Sequence, residues 1–280
     1  MTSKSADGAW RDLGVRAAAA AVLVPVVIGC VWLGGIAFEL LLLIASGLMI
    51  LEWCRMVFPR QERGAQMAVF ALGCAVAFGC ARAGAAHYAV FVVLAAWAAS
   101  MLLARFTGSL TLWRCCGVPY LVLPILAMFY LRNEPLLGLV AIIWLLCVVW
   151  ATDTGAYFAG RLFGGPKLAP RFSPKKTWAG LLGGMLGAGC AAVAVAYFAG
   201  LPGLLLVGVL GAVTAAVSQV GDIFESAAKR HFNVKDSGAL IPGHGGILDR
   251  VDGLLFAAVF VAGVGLVRHG DVERVAHFLM

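Results

Sequence analysis

The chain has 280 residues, of which 62% are hydrophobic and only 12% are charged, and its formal net charge is +7. Soluble domains carry roughly 45–50% apolar and about 25% charged residues. A water-soluble fold could not bury this much apolar surface, so the composition excludes an ordinary soluble domain and predicts a membrane protein.

Windows of about 20 apolar residues, the length that crosses the hydrocarbon core, recur along the whole chain. The first begins near Val15 and is too long for the apolar core of a typical signal peptide, so we interpret it as a span. Only a Gly-Leu-Pro-Gly turn separates the seventh span from the eighth. The sequence predicts about nine spans: 15–33, 36–57, 65–81, 86–104, 117–131, 136–156, 178–199, 201–220 and 253–267.

Basic residues are distributed unevenly between the two sides that alternating spans create. If the N-terminus is cytoplasmic, 17 of the 21 Lys and Arg residues fall on the cytoplasmic side, as the positive-inside rule requires. The sequence therefore predicts an all-α polytopic integral membrane protein with its N-terminus in the cytoplasm and its C-terminus outside. Seven or eight spans with re-entrant segments would satisfy the rule almost as well.

The chain divides into two regions of different character. Residues 1–116 are predicted to form N-terminal transmembrane helices with short loops. Residues 117–280 contain two long polar segments, 157–178 and 221–252, and both are assigned to the cytoplasmic side. Functional residues concentrate in such connecting segments, so we expect the functional site in this second region.

The polar segment 157–178 combines basic residues with three prolines, which predict an extended, non-helical conformation. Asp153 lies just before it, at or near the end of a span, where a carboxylate costs less than the roughly 2.5–3.5 kcal/mol of the mid-membrane. An anion-binding site is one interpretation of the segment, and non-specific attraction to anionic headgroups is the other. The residues that suggest anion binding are Ser173, Lys175, Lys176 and Thr177.

The start of segment 221–252 carries an acidic, hydroxyl and basic stripe. Asp222, Glu225, Ser226 and Lys229 are spaced i, i+3, i+4 and i+7, which places them on one face of a helix. Such a stripe could hold a metal ion and an anion together. The alternative is a solvated helix end with internal ion pairs.

Further along, the run His-Gly-Gly at 244–246 allows a backbone to approach a ligand closely. Asp249, Arg250 and Asp252 then open the last span. Either aspartate could be a helix N-cap. Two carboxylates beside an arginine exceed what capping needs, however, and Mg²⁺ prefers carboxylate oxygens together with substrate phosphates.

The 27 residues from Ser226 to Asp252 resemble the signature of the phosphatidate cytidylyltransferases, or CDP-diacylglycerol synthases, of bacterial type. That signature runs from a serine through Lys-Arg and Lys-Asp to a P-x-H-G-G-x-x-D-R-x-D ending. The upstream residues around Asp153 and the run from Ser173 to Thr177 are also similar, so the resemblance covers roughly 150–260. The signature positions are Ser226, Lys229, Arg230, Lys235, Asp236, Pro242, His244, Gly245, Gly246, Asp249, Arg250 and Asp252.

The resemblance implies a transferase of the cytoplasmic membrane that uses CTP, phosphatidate and Mg²⁺, with room for a second cation. The roles expected for individual residues follow from it. The expected catalytic residues are Asp222, Ser226, Lys229, Arg230, His244, Asp249 and Arg250. The expected nucleotide or phosphate ligands are Asp153, Ser173, Lys175, Lys176, Thr177 and Lys235. The expected metal ligands are Asp222, Glu225, Asp249 and Asp252.

Three alternative functions are less consistent with the sequence. A CTP-dependent enzyme acting on another lipid phosphate is the nearest alternative, and a membrane transporter is a less favoured one. A CDP-alcohol phosphotransferase is excluded because its DGxxAR…GxxxDxxxD motif does not occur in the sequence. No nucleic-acid partner is expected. Glycines from Gly180 to Gly187 at helical spacing predict close helix packing and also permit a homodimer.

Overall fold

The computed structural model describes residues 21–108, 111–238 and 245–280. Within these ranges the chain forms nine α-helices, one two-stranded hairpin and a terminal 3₁₀ segment. In chain order they are α1 (described from Ala21–Leu33), α2 (Gly35–Val57), α3 (Arg60–Arg82), α4 (Ala86–Phe106), α5 (Leu112–Asn133), α6 (Gly138–Leu162), β1 (Lys167–Ala169), β2 (Ser173–Thr177), α7 (Trp178–Phe198), α8 (Leu204–His231), α9 (Leu248–His269) and the 3₁₀ segment Val272–Leu279.

Eight helices of the described chain, α2 to α9, are long and apolar enough to cross a membrane. The protein is therefore a multi-pass, all-α membrane protein, as predicted. Each of the last eight predicted spans corresponds to one of these helices. The first predicted span, 15–33, is described only from residue 21, and its earlier residues lie outside the described ranges. The weakest predicted boundary is correct, because α7 ends at Phe198 and α8 begins at Leu204.

Helix α5 lies at the centre of the bundle and packs against α2, α3, α4, α6 and α9. Its side chains Leu121, Ile125 and Leu131 are fully buried. Large apolar side chains on the outer helices, such as Leu40 and Phe91, are exposed instead. An apolar outer surface of this kind is stable where lipid replaces water around the bundle.

Helices α6, α7 and α8 approach one another through small residues, as the glycine spacing predicted. A Cβ atom on Gly155 would lie 2.6 Å from the carbonyl oxygen of Gly183, and one on Gly184 would lie 2.9 Å from that of Thr152. The small-residue face of α7 is thus used inside the chain. The close approach brings the hairpin, which precedes α7 directly, beside α8.

The prediction for segment 157–178 was wrong at its beginning. Residues 157–162 continue α6 to Leu162, because the first proline of the segment stands only at Pro166. The remainder is extended, as the prolines predicted, but it forms an antiparallel hairpin in which Lys167 pairs with Thr177 and Ala169 pairs with Ser173. Gly164 and Gly165, both with positive φ, lead into this hairpin.

Segment 221–252 begins as the continuation of α8, which ends at His231. A helix of 28 residues is about 42 Å long, whereas the hydrocarbon core is about 30 Å thick. The polar end of α8 can therefore extend beyond the apolar layer. Helix α9 begins at Leu248, so the last turns of α8 and the first turn of α9 carry most of the predicted functional residues.

Candidate active site

One polar cavity lies between the end of α6, strand β2, the start of α7 and the polar part of α8. We call it the hairpin cavity, and its volume is about 390 Å³. Five of the predicted site residues contribute to its wall. The lining consists of Asp153, Ala156, Tyr157, Gly160, Arg161, Lys175, Lys176, Thr177, Gly180, Leu181, Gln219 and Asp222.

Lys176 links the hairpin to α8 across this cavity. Its ammonium group forms an ion pair with Asp222 and donates a hydrogen bond to Gln219 Oε1, at 2.7 Å. The lysine side chain is only 16% exposed. Both partners belong to α8, so this helix holds the ammonium group in place. An anion that enters the cavity meets a cation already oriented by the protein.

Thr177 has a structural task in addition to its place in the cavity wall. Its hydroxyl oxygen accepts a hydrogen bond from the backbone N–H of Gly180, at 3.0 Å, and caps the N-terminus of α7. Gly180 lies close to α6, since a Cβ there would lie 3.0 Å from the carbonyl oxygen of Ala156, which is tighter than an ordinary contact. The N-terminus of α7 is therefore held against α6 at the cavity wall.

The end of α6 supplies a further cation that the sequence interpretation did not assign to the site. Arg161 donates a hydrogen bond to the hydroxyl of Tyr157, at 2.8 Å, and both residues line the hairpin cavity. Their i, i+4 spacing would have placed them on one face, but α6 was predicted to end before them.

A second cluster, the α8–α9 junction, joins the end of α8 to the start of α9. Its centre is Lys229, whose Nζ donates to Asp249 Oδ1 at 2.7 Å and lies 3.2 Å from Glu225 Oε2. The stripe on α8 therefore faces the start of α9, a relationship that the sequence left open.

Asp249 is held by several donors besides Lys229. The backbone N–H of Ser237 lies 3.2 and 3.0 Å from its two oxygens, and the Ser237 hydroxyl lies 3.0 Å from Oδ2. The N–H of Gly246 donates to the same Oδ2 at 2.9 Å. Both oxygens of this carboxylate thus have protein partners, and a metal ion would have to share or displace them.

Two other acidic residues of the junction have fewer hydrogen-bond donors than Asp249. Glu225 is fully buried, and within the described chain its Oε1 lacks a well-formed hydrogen bond. Asp252 interacts electrostatically with both Glu225 and Asp222, while its Oδ1 accepts a hydrogen bond from the N–H of Gly253. Gly221 allows α8 and α9 to approach closely at this point. A Cβ atom there would lie 2.6 Å from the Asp252 carbonyl oxygen.

The remaining predicted residues surround these two clusters or fall outside them. Ser226 is half-buried on α8, and Ser173 is half-buried on β2. Arg230, Lys235 and Arg250 are exposed around the end of α8 and the start of α9. His244 lies outside the described residues, so its predicted role stays a prediction.

A family model described as the cytidylyltransferase family matches residues 14–267. The chain belongs to this family. The phosphatidate cytidylyltransferase of Brucella suis is 38% identical over 253 residues, which cover 89% of this chain and 92% of the relative. That of Haemophilus influenzae is 44% identical over 136 residues, or 46% of each chain. That of Rickettsia bellii is 38% identical over 162 residues, which cover 54% of this chain and 68% of the relative.

The family assignment confirms the resemblance found in the signature and disfavours a transporter. Three residues of this cytidylyltransferase-family site were not predicted. Gln219 binds Lys176, Ser237 binds Asp249, and Glu52 of α2 reaches the start of α9. Gln219 stands one turn before Asp222 on the same face of α8, so its spacing was a usable signal. Ser237 carried no comparable signal, whereas Glu52 is one of the few charged residues inside a predicted span, which is a signal of function.

The acidic residues that the structure describes have the ligand chemistry that Mg²⁺ prefers, but they do not form a complete metal cage. Asp222, Glu225 and Asp252 offer hard oxygen ligands, and one oxygen of Glu225 is buried without a well-formed hydrogen bond in the described chain. No group of three or more His, Cys, Asp or Glu side chains among the described residues is arranged as a metal cage. Because Mg²⁺ keeps waters and takes substrate phosphates as ligands, one or two carboxylates are sufficient.

Proposed function

We propose that this protein transfers the cytidylyl group of CTP to phosphatidate, forming CDP-diacylglycerol and pyrophosphate at the cytoplasmic face of the inner membrane. Phosphatidate cytidylyltransferase relatives are similar along most of the chain, as in the Brucella suis protein that matches 89% of it. The structural observation that carries the proposal is the adjacency of two charged clusters on α8. The hairpin cavity and the α8–α9 junction both use the face that runs from Gln219 to Lys229.

The proposed reaction demands positioning of charges more than proton transfer. A phosphate oxygen of phosphatidate attacks the α-phosphorus of CTP, and the bond from that phosphorus to the bridging oxygen of the β-phosphate breaks. Pyrophosphate leaves with those electrons. Phosphate monoesters are already largely dianionic near neutral pH, because their second pKa is about 6, so no strong general base is needed. Charge neutralisation around the triphosphate is then the main task.

Each cluster offers groups for part of this task. In the hairpin cavity, Lys175, Lys176 and Arg161 can pair with triphosphate oxygens. At the junction, Lys229 stands between two carboxylates, where it holds Asp249 in place. The exposed Arg230 and Arg250 beside it can meet the phosphate of the lipid.

Mg²⁺, with room for a second cation, completes the proposal. Asp222, Glu225 and Asp252 would hold it. Asp249 would join them if some of its present hydrogen bonds break. When bound, the cation supplies positive charge to the phosphate groups of CTP. The protein residues bind, orient and separate the two polyanions.

A lipid substrate is also supported by an apolar cavity of about 390 Å³ between α5, α8 and α9. Its lining includes Tyr120, Phe224 and Phe256. Phe224 precedes Glu225, and Phe256 packs beside Gly221, so this cavity adjoins the charged junction. We expect an acyl chain of phosphatidate to occupy it while the phosphate reaches the α8–α9 junction.

The test is release of pyrophosphate by the purified protein in nanodiscs supplied with CTP and Mg²⁺. Pyrophosphate should appear only when phosphatidate is present, in equal amount to CDP-diacylglycerol. A parallel series with a polyprenyl phosphate and with glycerol 3-phosphate identifies the acceptor. Turnover with the polyprenyl phosphate but not with phosphatidate would support the other lipid-phosphate enzyme instead.

A further inference from the structure

Glu52 is a buried acidic residue in α2, far from the signature in sequence and only 1% exposed. Its Oε1 accepts a hydrogen bond from the backbone N–H of Ile247, and its Oε2 accepts one from that of Leu248, both at 3.0 Å. The hydroxyl of Ser237 lies 3.2 Å from the same Oε2. A carboxylate in the N-terminal half of the chain therefore binds two separate parts of the signature, at Ser237 and at the start of α9.

The backbone contacts make Glu52 a cap supplied from another helix. The first N–H groups of a helix have no partner within it, and the residue before α9, Ile247, provides no side-chain cap. Glu52 satisfies two of these donors. Its negative charge also lies at the positive end of the α9 dipole.

Two glycines lie directly beside the Glu52 carboxylate. A Cβ atom on Gly238 would lie 2.5 Å from Glu52 Oε1, and a Cβ on Gly246 would lie 2.7 Å from Oε2. A side chain at either position would therefore clash with the Glu52 carboxylate in its present place.

Ser237 connects this cap to Asp249. Its hydroxyl lies 3.2 Å from Glu52 Oε2 and 3.0 Å from Asp249 Oδ2, and its N–H donates to Asp249. A hydroxyl has one proton, so it donates to one carboxylate at a time. Ser237 thus contacts both carboxylates, and its backbone N–H donates to Asp249 whichever of them receives the hydroxyl proton.

We propose that Glu52 is a positioning residue for the transfer reaction, which sets the start of α9 and thereby Asp249 against Lys229. The proposal rests on the function proposed above and on the expected role of Asp249. It assigns the N-terminal helices a part in the site, because α2 holds the signature segment in place.

The experiment compares Glu52→Gln and Glu52→Ala with Glu39→Gln as a matched control. Glu39 is on the same helix and pairs with Arg82 away from both charged clusters. At saturating CTP, phosphatidate and Mg²⁺, we expect kcat to fall roughly tenfold for Glu52→Gln and roughly hundredfold for Glu52→Ala, since small displacements of a reacting group have effects of this size. The KM for CTP should change less than threefold, and Glu39→Gln should retain the parent kcat.

Hydrogen exchange of the same proteins separates positioning from a general loss of fold. In both Glu52 variants, amides within 245–252 should exchange faster, while those of α3, α4 and α6 should keep their parent rates. Unchanged exchange in 245–252, a kcat within twofold of the parent, or faster exchange throughout the bundle would each overturn the proposal. If the parent protein lacks the transferase activity, the exchange result still tests the cap, and only the proposed function fails.

Discussion

Lys229 and Asp249 form a 2.7 Å ion pair that joins the end of α8 to the first turn of α9. The two side chains are 15% and 9% exposed, so water screens the pair only weakly. Lys229 Nζ also lies 3.2 Å from Oε2 of the fully buried Glu225. One ammonium group thus contacts acidic side chains on two helices, and it joins α8 to α9 at the junction.

Replacing Lys229 with Met should therefore destabilise the protein as well as inactivate it. Removing one partner of a buried pair leaves the other charge uncompensated, which costs about 3 kcal/mol or more. We expect a lower thermal midpoint in detergent and a kcat reduced at least hundredfold. Lys235→Gln is the stability control, because Lys235 is exposed. Equal thermal midpoints for Lys229→Met and the parent would show that the pair does not support the junction.

Lys176 should matter more than its neighbour Lys175. Lys176 is oriented by Asp222 and Gln219, whereas Lys175 is exposed on the strand. Charge-assisted hydrogen bonds contribute about 1.5–3 kcal/mol, so Lys176→Met should lower kcat/KM for CTP roughly tenfold to hundredfold. Lys175→Met should have a smaller effect.

The control for this pair is Lys167→Met on the opposite strand of the hairpin, which should leave kcat/KM unchanged. Initial rates at several CTP concentrations give the comparison directly. If all three variants lose activity equally, the hairpin acts through its total charge near the membrane, and the specific role of Lys176 is excluded.

The parts of the molecule that follow from local periodicity could be predicted from the sequence. Apolar windows predicted the helices, and the i, i+3, i+4, i+7 spacing predicted that Asp222 and Lys229 share a face of α8. The hairpin was not predicted, because β1 and β2 have only three and five residues and the prolines indicated no more than an extended chain. The end of α6 was placed too early because polar residues were interpreted as loop.

Contacts between distant segments could not be predicted from local residue patterns. Glu52 meets Leu248 across 196 positions, and Lys176 meets Gln219 across 43. A glutamate inside an apolar span gives no indication of its partner. Ser237 is one of several small polar residues near the signature, and only the fold shows that its hydroxyl lies between two carboxylates.

The contact between Gly221 and Asp252 allows a steric test of the junction. Gly221→Ala would place a methyl group 2.6 Å from the Asp252 carbonyl oxygen, so α8 and α9 would have to separate. Overpacking of this kind costs about 1–3 kcal/mol, and we expect a lower thermal midpoint together with reduced kcat. The midpoint is measured by loss of the folded monodisperse species on heating.

Gly263→Ala in α9 is the matched control for that substitution. No atom lies within 4 Å of a Cβ built on Gly263, outside its own helix backbone. Alanine favours helix over glycine by about 1 kcal/mol, so this variant should be as stable as the parent or slightly more stable. Parent-like stability and activity for Gly221→Ala would contradict the described contact between the two helices.

The proposed Mg²⁺ dependence distinguishes the acidic residues from one another. Chelation should abolish pyrophosphate release, and added Mg²⁺ should restore it. Asp222→Asn and Asp252→Asn should raise the Mg²⁺ concentration that gives half-maximal rate, because each removes an oxygen ligand. Asp271→Asn is the control, since Asp271 caps the terminal 3₁₀ segment through the N–H of Glu273.

Asp249→Asn should lower kcat far more than loss of Lys175, because Asp249 serves Lys229, Ser237 and Gly246 at once. Its Mg²⁺ titration then decides between two roles. A raised Mg²⁺ requirement assigns Asp249 to the metal, and an unchanged requirement with low kcat assigns it to positioning alone. Near-normal turnover in the Asp249→Asn variant would exclude both roles, because neither a metal ligand nor the organising acceptor of the junction can lose its charge without effect.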